Sequence, residues 1–270
     1  MENSMENILF EFNNYTVKCG NKILLDNINF KIPQRGIFSI IGETGSGKTL
    51  IAKSIVGLLP DYMSVQGNII YNDKSIKYDL INLPVKERNK FRGKQLLWIP
   101  QSSSALNPLL TIRKQLILPI IRHRNITAGQ AENILEEIFK FLDLDIRILN
   151  DYPYSLSGGM KVRVMLSVGL AIQSRVLILD EPTKGLDANR CNLLMKLIRR
   201  ISSQFGVNII LISHDLDAVL EKATYCAVLY GGKLVDTGFV DEVLINKPHS
   251  YVKALYKAMP KNGMEVFDFE

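Results

Sequence analysis

The chain has few cysteines and no arrangement built on them. Cys19, Cys191 and Cys226 contain no C-x-x-C pair. That spacing excludes a disulfide framework and a cysteine zinc module, and points to a reduced compartment. No stretch approaches the ~18 apolar residues that cross a bilayer; Gln115 to Ile121, one of the longest, is interrupted by Pro119. The start, Met1 to Glu6, has neither the basic nor the apolar region of a signal peptide, so a leader is not expected. Internal repeats, low-complexity tracts and flexible linkers are missing. Long runs of charge of one sign are few: the net +6 arises from 33 basic and 27 acidic residues that are mostly intermixed. The densest basic runs, Lys86–Lys94 and Arg122-His123-Arg124, read as solvated helix faces. Neither is interleaved with aromatics that could stack bases, so a nucleic-acid partner is not expected.

What is present is enough apolar material, 47% of 270 residues, for one large α/β core or two modest lobes. Residues 42–49, Gly-Glu-Thr-Gly-Ser-Gly-Lys-Thr, fit the phosphate-loop pattern G-x-x-x-x-G-K-[ST] at every defined position. The β-branched and aromatic run Ile37–Ile41 reads as a buried strand before it, and Leu50–Leu59 as a helix after it. Strand, glycine loop and helix together make an anion cradle. Gly42, Gly45 and Gly47 let backbone N–H groups of the loop, including those of Glu43, Thr44 and Ser46, turn inward at a helix N-terminus. Lys48 then reaches the β- and γ-phosphates of a nucleotide, and the Thr49 hydroxyl holds Mg²⁺.

Elsewhere, Ile8–Tyr15 and Ile23–Ile32 read as strands, followed by a turn at Pro33–Gly36 and a short strand at Gly67–Tyr71. Residues 84–95 read as a charged helix, and Gln95–Pro100 as a buried strand. From Thr111 to Leu149 the pattern is helical, with Ile134, Leu135, Ile138, Phe139 and Leu142 on one face. Val176–Leu179 has the continuous apolar character of a strand covered on both faces. A helix at Ala188–Phe205, a strand at Val207–Ile212, a helix at Leu216–Lys222 and a hairpin about Gly231-Gly232 complete the alternation.

The strand at 176–179 runs into Asp180 and Glu181. An acid there can hold Mg²⁺, and the next can orient and deprotonate an attacking water, which is most of what phosphoryl transfer to water demands. Ser157-Gly158-Gly159, a hydroxyl and two glycines opening a helix, is a second nest of N–H donors. Its position 23 residues before Asp180 makes the chain resemble the ABC-type ATPases, with Ser157, Gly158 and Gly159 in their signature motif. Gln101 matches their Q-loop, Gly185-Leu186-Asp187 their D-loop, and His214 their switch histidine.

The resemblance implies a P-loop NTPase fold with a RecA-like core, an antiparallel β subdomain and a helical subdomain. One ABC ATPase domain over 1–270 is expected, with the cassette at about 8–240, the helical lobe at about 102–165 and a C-terminal extension at 241–270. It also implies an ATP- and Mg²⁺-dependent ATPase working as a sandwich of two subunits. Lys48, Gln101, Glu181 and His214 would be catalytic, and Thr49, Gln101 and Asp180 would serve the metal. Ser157, Gly158, Gly159 and Asp187 would serve the nucleotide of the facing subunit. Members of the family stack adenine on an aromatic about 23 residues before the first loop glycine. Here that position is Cys19, with Tyr15 four residues earlier as either stacking ring or core residue. Met160 replaces the usual signature glutamine, and Lys184-Gly185 replaces small residues.

Three further stretches resemble the oligopeptide, dipeptide and nickel importer ATPases: Gln101 to Thr111 with its Leu106-Asn107-Pro108 step, Met160, and Lys247 through Pro260. His249 lies in the last; no second His or Cys stands near it to complete a metal site. The end at Glu270 without a cysteine-rich segment, and Gly57-Leu58-Leu59-Pro60, are more like the nickel-type members. The implied system imports nickel, cobalt or a metal–metallophore complex, with peptides the alternative cargo. Its partners would be two membrane permease subunits, an extracytoplasmic substrate-binding protein and a second ATPase subunit, a paralogue or a copy. The chain would sit peripherally on the cytoplasmic face of the cell membrane, with residues 102–115 docking the permease.

Overall fold

The computed structural model describes residues 8–34, 36–74, 76–101, 105–214, 216–246 and 249–257. Its strands are β1 (Ile8–Cys19), β2 (Lys22–Pro33), β3 (Ile37–Ile41), β4 (Met63–Asp73), β5 (Ile76–Asp79), β6 (Leu96–Ile99), β7 (Val176–Asp180), β8 (Asn208–Ser213), β9 (Tyr225–Tyr230) and β10 (Lys233–Phe239). Its helices are α1 (Lys48–Ile55), α2 (Val85–Arg88), α3 (Ile112–Arg124), α4 (Ala128–Phe141), α5 (Gly158–Ala171), α6 (Ala188–Phe205), α7 (Leu216–Lys222) and α8 (Ser250–Lys257). No helix among the described residues is long and apolar enough to cross a membrane.

The strands form two sheets. One is antiparallel, ordered β2-β1-β4-β5; the other is ordered β10-β9-β3-β8-β7-β6, parallel except for its β9–β10 edge hairpin. Strand periodicity divides the core. Val176, Ile178, Ile210 and Ile212 face the antiparallel sheet and α1, while Leu177, Leu179, Ile209 and Leu211 face the helices α3 to α6. Both faces are covered, which is why β7 and β8 read as unbroken apolar runs. Stacked rings join the sheets: Phe12 lies 4.5 Å from Phe30, and Phe30 5.8 Å from Phe38.

Three local readings change. α1 stops at Ile55, not Leu59, because Gly57 takes a left-handed φ of +65° and closes a Schellman turn. In it Leu58 N–H donates to the Lys53 carbonyl at 2.8 Å and Gly57 N–H to Ser54 at 3.1 Å. Residues 84–95 give only the single turn α2. The chain then folds back, with the N–H groups of Gln95 and Leu96 both donating to the Phe91 carbonyl. Arg92 is turned inward, donating through Nε to the Val56 carbonyl at 2.9 Å and also to that of Gly57. It therefore caps the α1 C-terminus where a solvated face was expected.

Tyr15 is the third. Strict alternation would put it on the opposite face from Phe12, but the β1–β2 register slips between the two, at Asn14 with φ +48°. The slip flips Tyr15 inward. It is fully buried with its ring edge on Phe12, and burial pushes its phenol up to about 12. Tyr15 is a core residue and cannot stack on adenine. Cys19, at the end of β1, is partly exposed.

Candidate nucleotide site

β3 delivers the chain into the glycine loop, and α1 begins immediately after it. The N-cap of α1 is Gly47, which offers no side-chain oxygen, so the first-turn N–H groups are left for an external anion. The loop's base is tight: a Cβ on Gly42 would lie 2.2 Å from the Leu229 carbonyl oxygen and 2.7 Å from Ser46 Oγ. No side chain fits there.

Lys48 is buried and donates through Nζ to the carbonyls of Gly42 and Glu43, 2.7 Å each. Burial lowers its pKa, opposed by the charges of Glu181, Asp180 and Glu43. Thr49 Oγ1 donates to Asp180 Oδ2 at 2.9 Å, joining α1 to the end of β7. Asp180 is raised by burial above all; the Thr49 bond lowers it and the Glu181 charge raises it further. Glu181 takes a left-handed φ of +50° as the chain leaves β7, while its N–H donates to the Ile212 carbonyl on β8. A non-glycine residue in that region costs about 1–3 kcal/mol, a strain typical of functional positions. His214 follows β8, and its Nδ1 lies 2.7 Å from Glu181 Oε2.

These groups meet in a cavity of about 280 Å³ lined by Thr44, Gly45, Gly47, Lys48, Thr49, Leu50, Gln101, Glu181, Lys184 and His214. Gln101 is exposed at its edge. Three polar atoms on the residues beside this cavity are buried without a hydrogen bond: Ser46 Oγ, Asp180 Oδ1 and Glu181 Oε2, the last 2.7 Å from His214 Nδ1. Buried polar atoms of this kind are normally satisfied, so these are free to meet a bound ligand. The spare Asp180 oxygen beside the Thr49 hydroxyl fits Mg²⁺. Among the described residues no cluster of three His, Cys, Asp or Glu makes a full cage, and Mg²⁺ characteristically takes one or two protein ligands plus phosphates and water.

Ser157, Gly158, Gly159 and Asp187 are not brought to this cavity. Ser157 caps α5, its Oγ accepting the Met160 N–H at 3.3 Å. Asp187 caps α6, accepting the Arg190 N–H at 2.9 Å and pairing with the Arg190 side chain at 3.2 Å. Ser157, Gly159, Met160, Arg163, Leu186 and Arg190 line a separate cavity of about 220 Å³. A larger one, about 570 Å³, lies between Gly36, Arg199, Gly206 and Lys222. α6 and α7 both end beside it, and Lys222 in the last turn of α7 complements that helix end. Sequence reasoning passed over Lys184 as a lining residue and Arg190 as the partner of Asp187. Their place three residues after Glu181 and after Asp187, respectively, was the available signal.

The ABC transporter family model matches residues 25–184. The chain is 34% identical over 241 residues to the metal-staphylopine import system ATP-binding protein CntD of Staphylococcus aureus, covering 88% of each chain. It is 32% identical over 275 residues to the dipeptide transport ATP-binding protein DppD of Bacillus subtilis, covering 97% of this chain and 79% of the relative. Among solved structures, the post-hydrolysis dimer of the ATP-binding cassette MJ0796 with ADP and Pi is 26% identical, with a TM-score of 0.73 over 86% of this chain and 99% of that one. The cbiO1 structure from Clostridium perfringens, at 23% identity and a TM-score of 0.75 over 90% of this chain and 92% of that one, shares the fold. The phosphate loop, the strained acid at the end of β7 and these likenesses lead to one conclusion: the chain belongs to the ABC transporter family, as an ATP-hydrolysing subunit of an importer.

Proposed function

We propose that this chain powers import of a metal–metallophore complex, as one of two ATPase subunits on the cytoplasmic face of a membrane permease. The observation that carries the two-subunit part is the separation of its cavities. Lys48, Thr49, Gln101, Asp180, Glu181 and His214 gather at one, while Ser157, Gly159 and Arg190 stand at the other. The first, about 280 Å³, lacks the glycine nest that stands at the second. A second subunit's Ser157-Gly158-Gly159 equivalent supplies the missing wall.

In that arrangement the loop N–H groups and Lys48 bind the ATP phosphates, with Lys48 leaving the Gly42 and Glu43 carbonyls. Thr49 and Asp180 would hold Mg²⁺, which would supply positive charge to offset that of the phosphates. Glu181 accepts the proton of the attacking water, His214 orients Glu181, and Gln101 reports the loaded site toward the helical lobe. Residues 102–104 lie outside the described residues. Just beyond them Leu109 is 82% exposed and Leu110 38%, an apolar edge suited to a permease helix. A substrate-binding protein outside the membrane would deliver the cargo to two permease subunits.

The cargo reading rests on the likeness to CntD. Import of peptides is the second reading, favoured by the match to DppD over 97% of this chain. Uptake of labelled nickel or cobalt, offered with a metallophore, against uptake of a labelled dipeptide in a strain lacking this chain tests it. Loss of metal uptake alone supports the first reading; loss of dipeptide uptake alone replaces it with the second.

A further inference from the structure

The C-terminal segment reaches the phosphate loop. Tyr251, on the first turn of α8, is 5% exposed, and its hydroxyl oxygen accepts the Glu43 N–H at 3.3 Å. Its ring lies against Tyr230, 4.4 Å between centroids, at the end of β9. Ile41, the last residue of β3, packs in the same apolar cluster as Tyr251 and Val252. Gly42 is thus bracketed. Ile41 is held by the α8 cluster, Gly42 is pressed on the Leu229 carbonyl, and Glu43 is held by the Tyr251 hydroxyl. The carbonyls of Gly42 and Glu43, on this clamped segment, are the two that receive Lys48 Nζ.

We propose that Tyr251 is a positioning residue for nucleotide binding, fixing the Gly42–Glu43 segment from which Lys48 is presented to the phosphates. The inference rests on the reading of this cavity as the ATP site. Burial pushes the phenol up to about 12, so the hydroxyl stays protonated and neutral around pH 7. A neutral oxygen at the loop's base accepts the N–H without adding a negative charge near the polyphosphate. The ring anchors α8; the hydroxyl anchors the loop. Replacing tyrosine by phenylalanine separates the two, because it keeps the packing and leaves the Glu43 N–H unpaired. One such bond corresponds to roughly a three- to tenfold change in affinity.

The test uses the full chain with Tyr251→Phe. It measures the Kd of a fluorescent ATP analogue, KM and kcat for ATP, and the melting temperature without nucleotide. The expected result is Kd and KM raised about three- to tenfold, kcat at saturating ATP within about twofold, and a melting temperature lowered by no more than about 2–4 °C. Wild-type Kd and KM in Y251F would overturn the proposal. So would a rise in KM accompanied by a larger fall in melting temperature and a matching loss of kcat, since that pattern belongs to a purely structural residue. Lys48→Ala run alongside keeps the two levels apart. Binding lost in K48A but untouched in Y251F removes only the role of Tyr251; a wild-type chain that does not bind the analogue removes the ATP site and the proposal with it.

Discussion

Replacing Glu181 by glutamine changes one charge and almost nothing else. Glutamine has the same size, the Glu181 N–H bond to Ile212 is a backbone bond, and the cost of φ +50° is common to both residues. What is lost is a carboxylate able to take a proton from water. A positioned general base contributes about 10²- to 10⁴-fold, or about 2.7–5.4 kcal/mol at 1.36 kcal/mol per decade. Binding should move the other way. Asp180 is raised chiefly by burial and further by the neighbouring Glu181 charge, and that charge will repel a polyphosphate as well. Removing that charge leaves Lys48 and the loop N–H groups intact, so ATP affinity should hold or increase. The assay is phosphate release at saturating ATP and Mg²⁺, beside titration with a fluorescent ATP analogue and light scattering to detect an ATP-held dimer. Turnover at least 100-fold down with affinity retained supports the base role. Turnover within about tenfold of wild type would remove Glu181 from that role.

Lys48→Ala should weaken ATP binding by at least about tenfold, because a buried cation facing the phosphates is lost; unchanged affinity in the same titration would move the phosphate site elsewhere. Asp180→Asn should raise the melting temperature of the nucleotide-free protein while abolishing most turnover. The sign follows from a carboxyl raised above its ordinary 3.8: the folded state binds the proton more tightly, so its contribution is best below 3.8 and is lost as pH rises through the folded value. At pH 7 the buried charge is a cost, and the amide, which can still accept from Thr49, removes it. The melting gain, roughly 2–4 °C per kcal/mol recovered, should vanish when both proteins are compared near pH 3. Gly169→Ala should destabilise by about 1–3 kcal/mol from overpacking, since the new Cβ would lie 2.6 Å from Leu177 Cδ2 and 2.9 Å from Leu97 Cδ2; urea unfolding measures it, and a neutral result would mean that α5 can lift off the sheet freely.

Elements set by local chemistry were legible. α6 is bounded by the Asp187 cap and by Gly206 at φ +64°, and its span follows from those residues and the apolar stripe between them. β7 and β8 are legible because a strand covered on both faces must be continuously apolar. The phosphate loop is legible because its glycines answer steric demands that a sequence pattern can encode. The failures share a different cause: contacts between distant residues. Nothing within residues 84–95 says that Arg92 will cap α1, 36 positions earlier at Val56. Nothing in the alternation of β1 announces the slip at Asn14 that turns Tyr15 inward. The bond from Tyr251 to Glu43 spans 208 positions.

The site's polar residues also explain why such a subunit should respond to nucleotide as it does. One buried cation, Lys48, faces the carboxylates of Asp180, Glu181 and Glu43, and Ser46 Oγ and Asp180 Oδ1 make no hydrogen bond within the protein. A metal-bound polyphosphate offers these groups partners, a relief that favours its binding. Relief on one chain alone would give tight binding and no work. On the proposed two-subunit arrangement, the Ser157-Gly158-Gly159 nest at the second cavity would make part of the favourable contact available only when two subunits close. ATP would then bind the closed pair better than the open one, and that difference in affinity would be the most a permease could draw on. Hydrolysis, with Glu181 as the proposed base, would withdraw it. On this reasoning a variant that damages only the distant nest, Ser157→Arg, should still bind ATP at its own loop while losing both turnover and nucleotide-driven pairing. Retained pairing in S157R, measured by light scattering with ATP, would mean that the two cavities do not belong to one composite site.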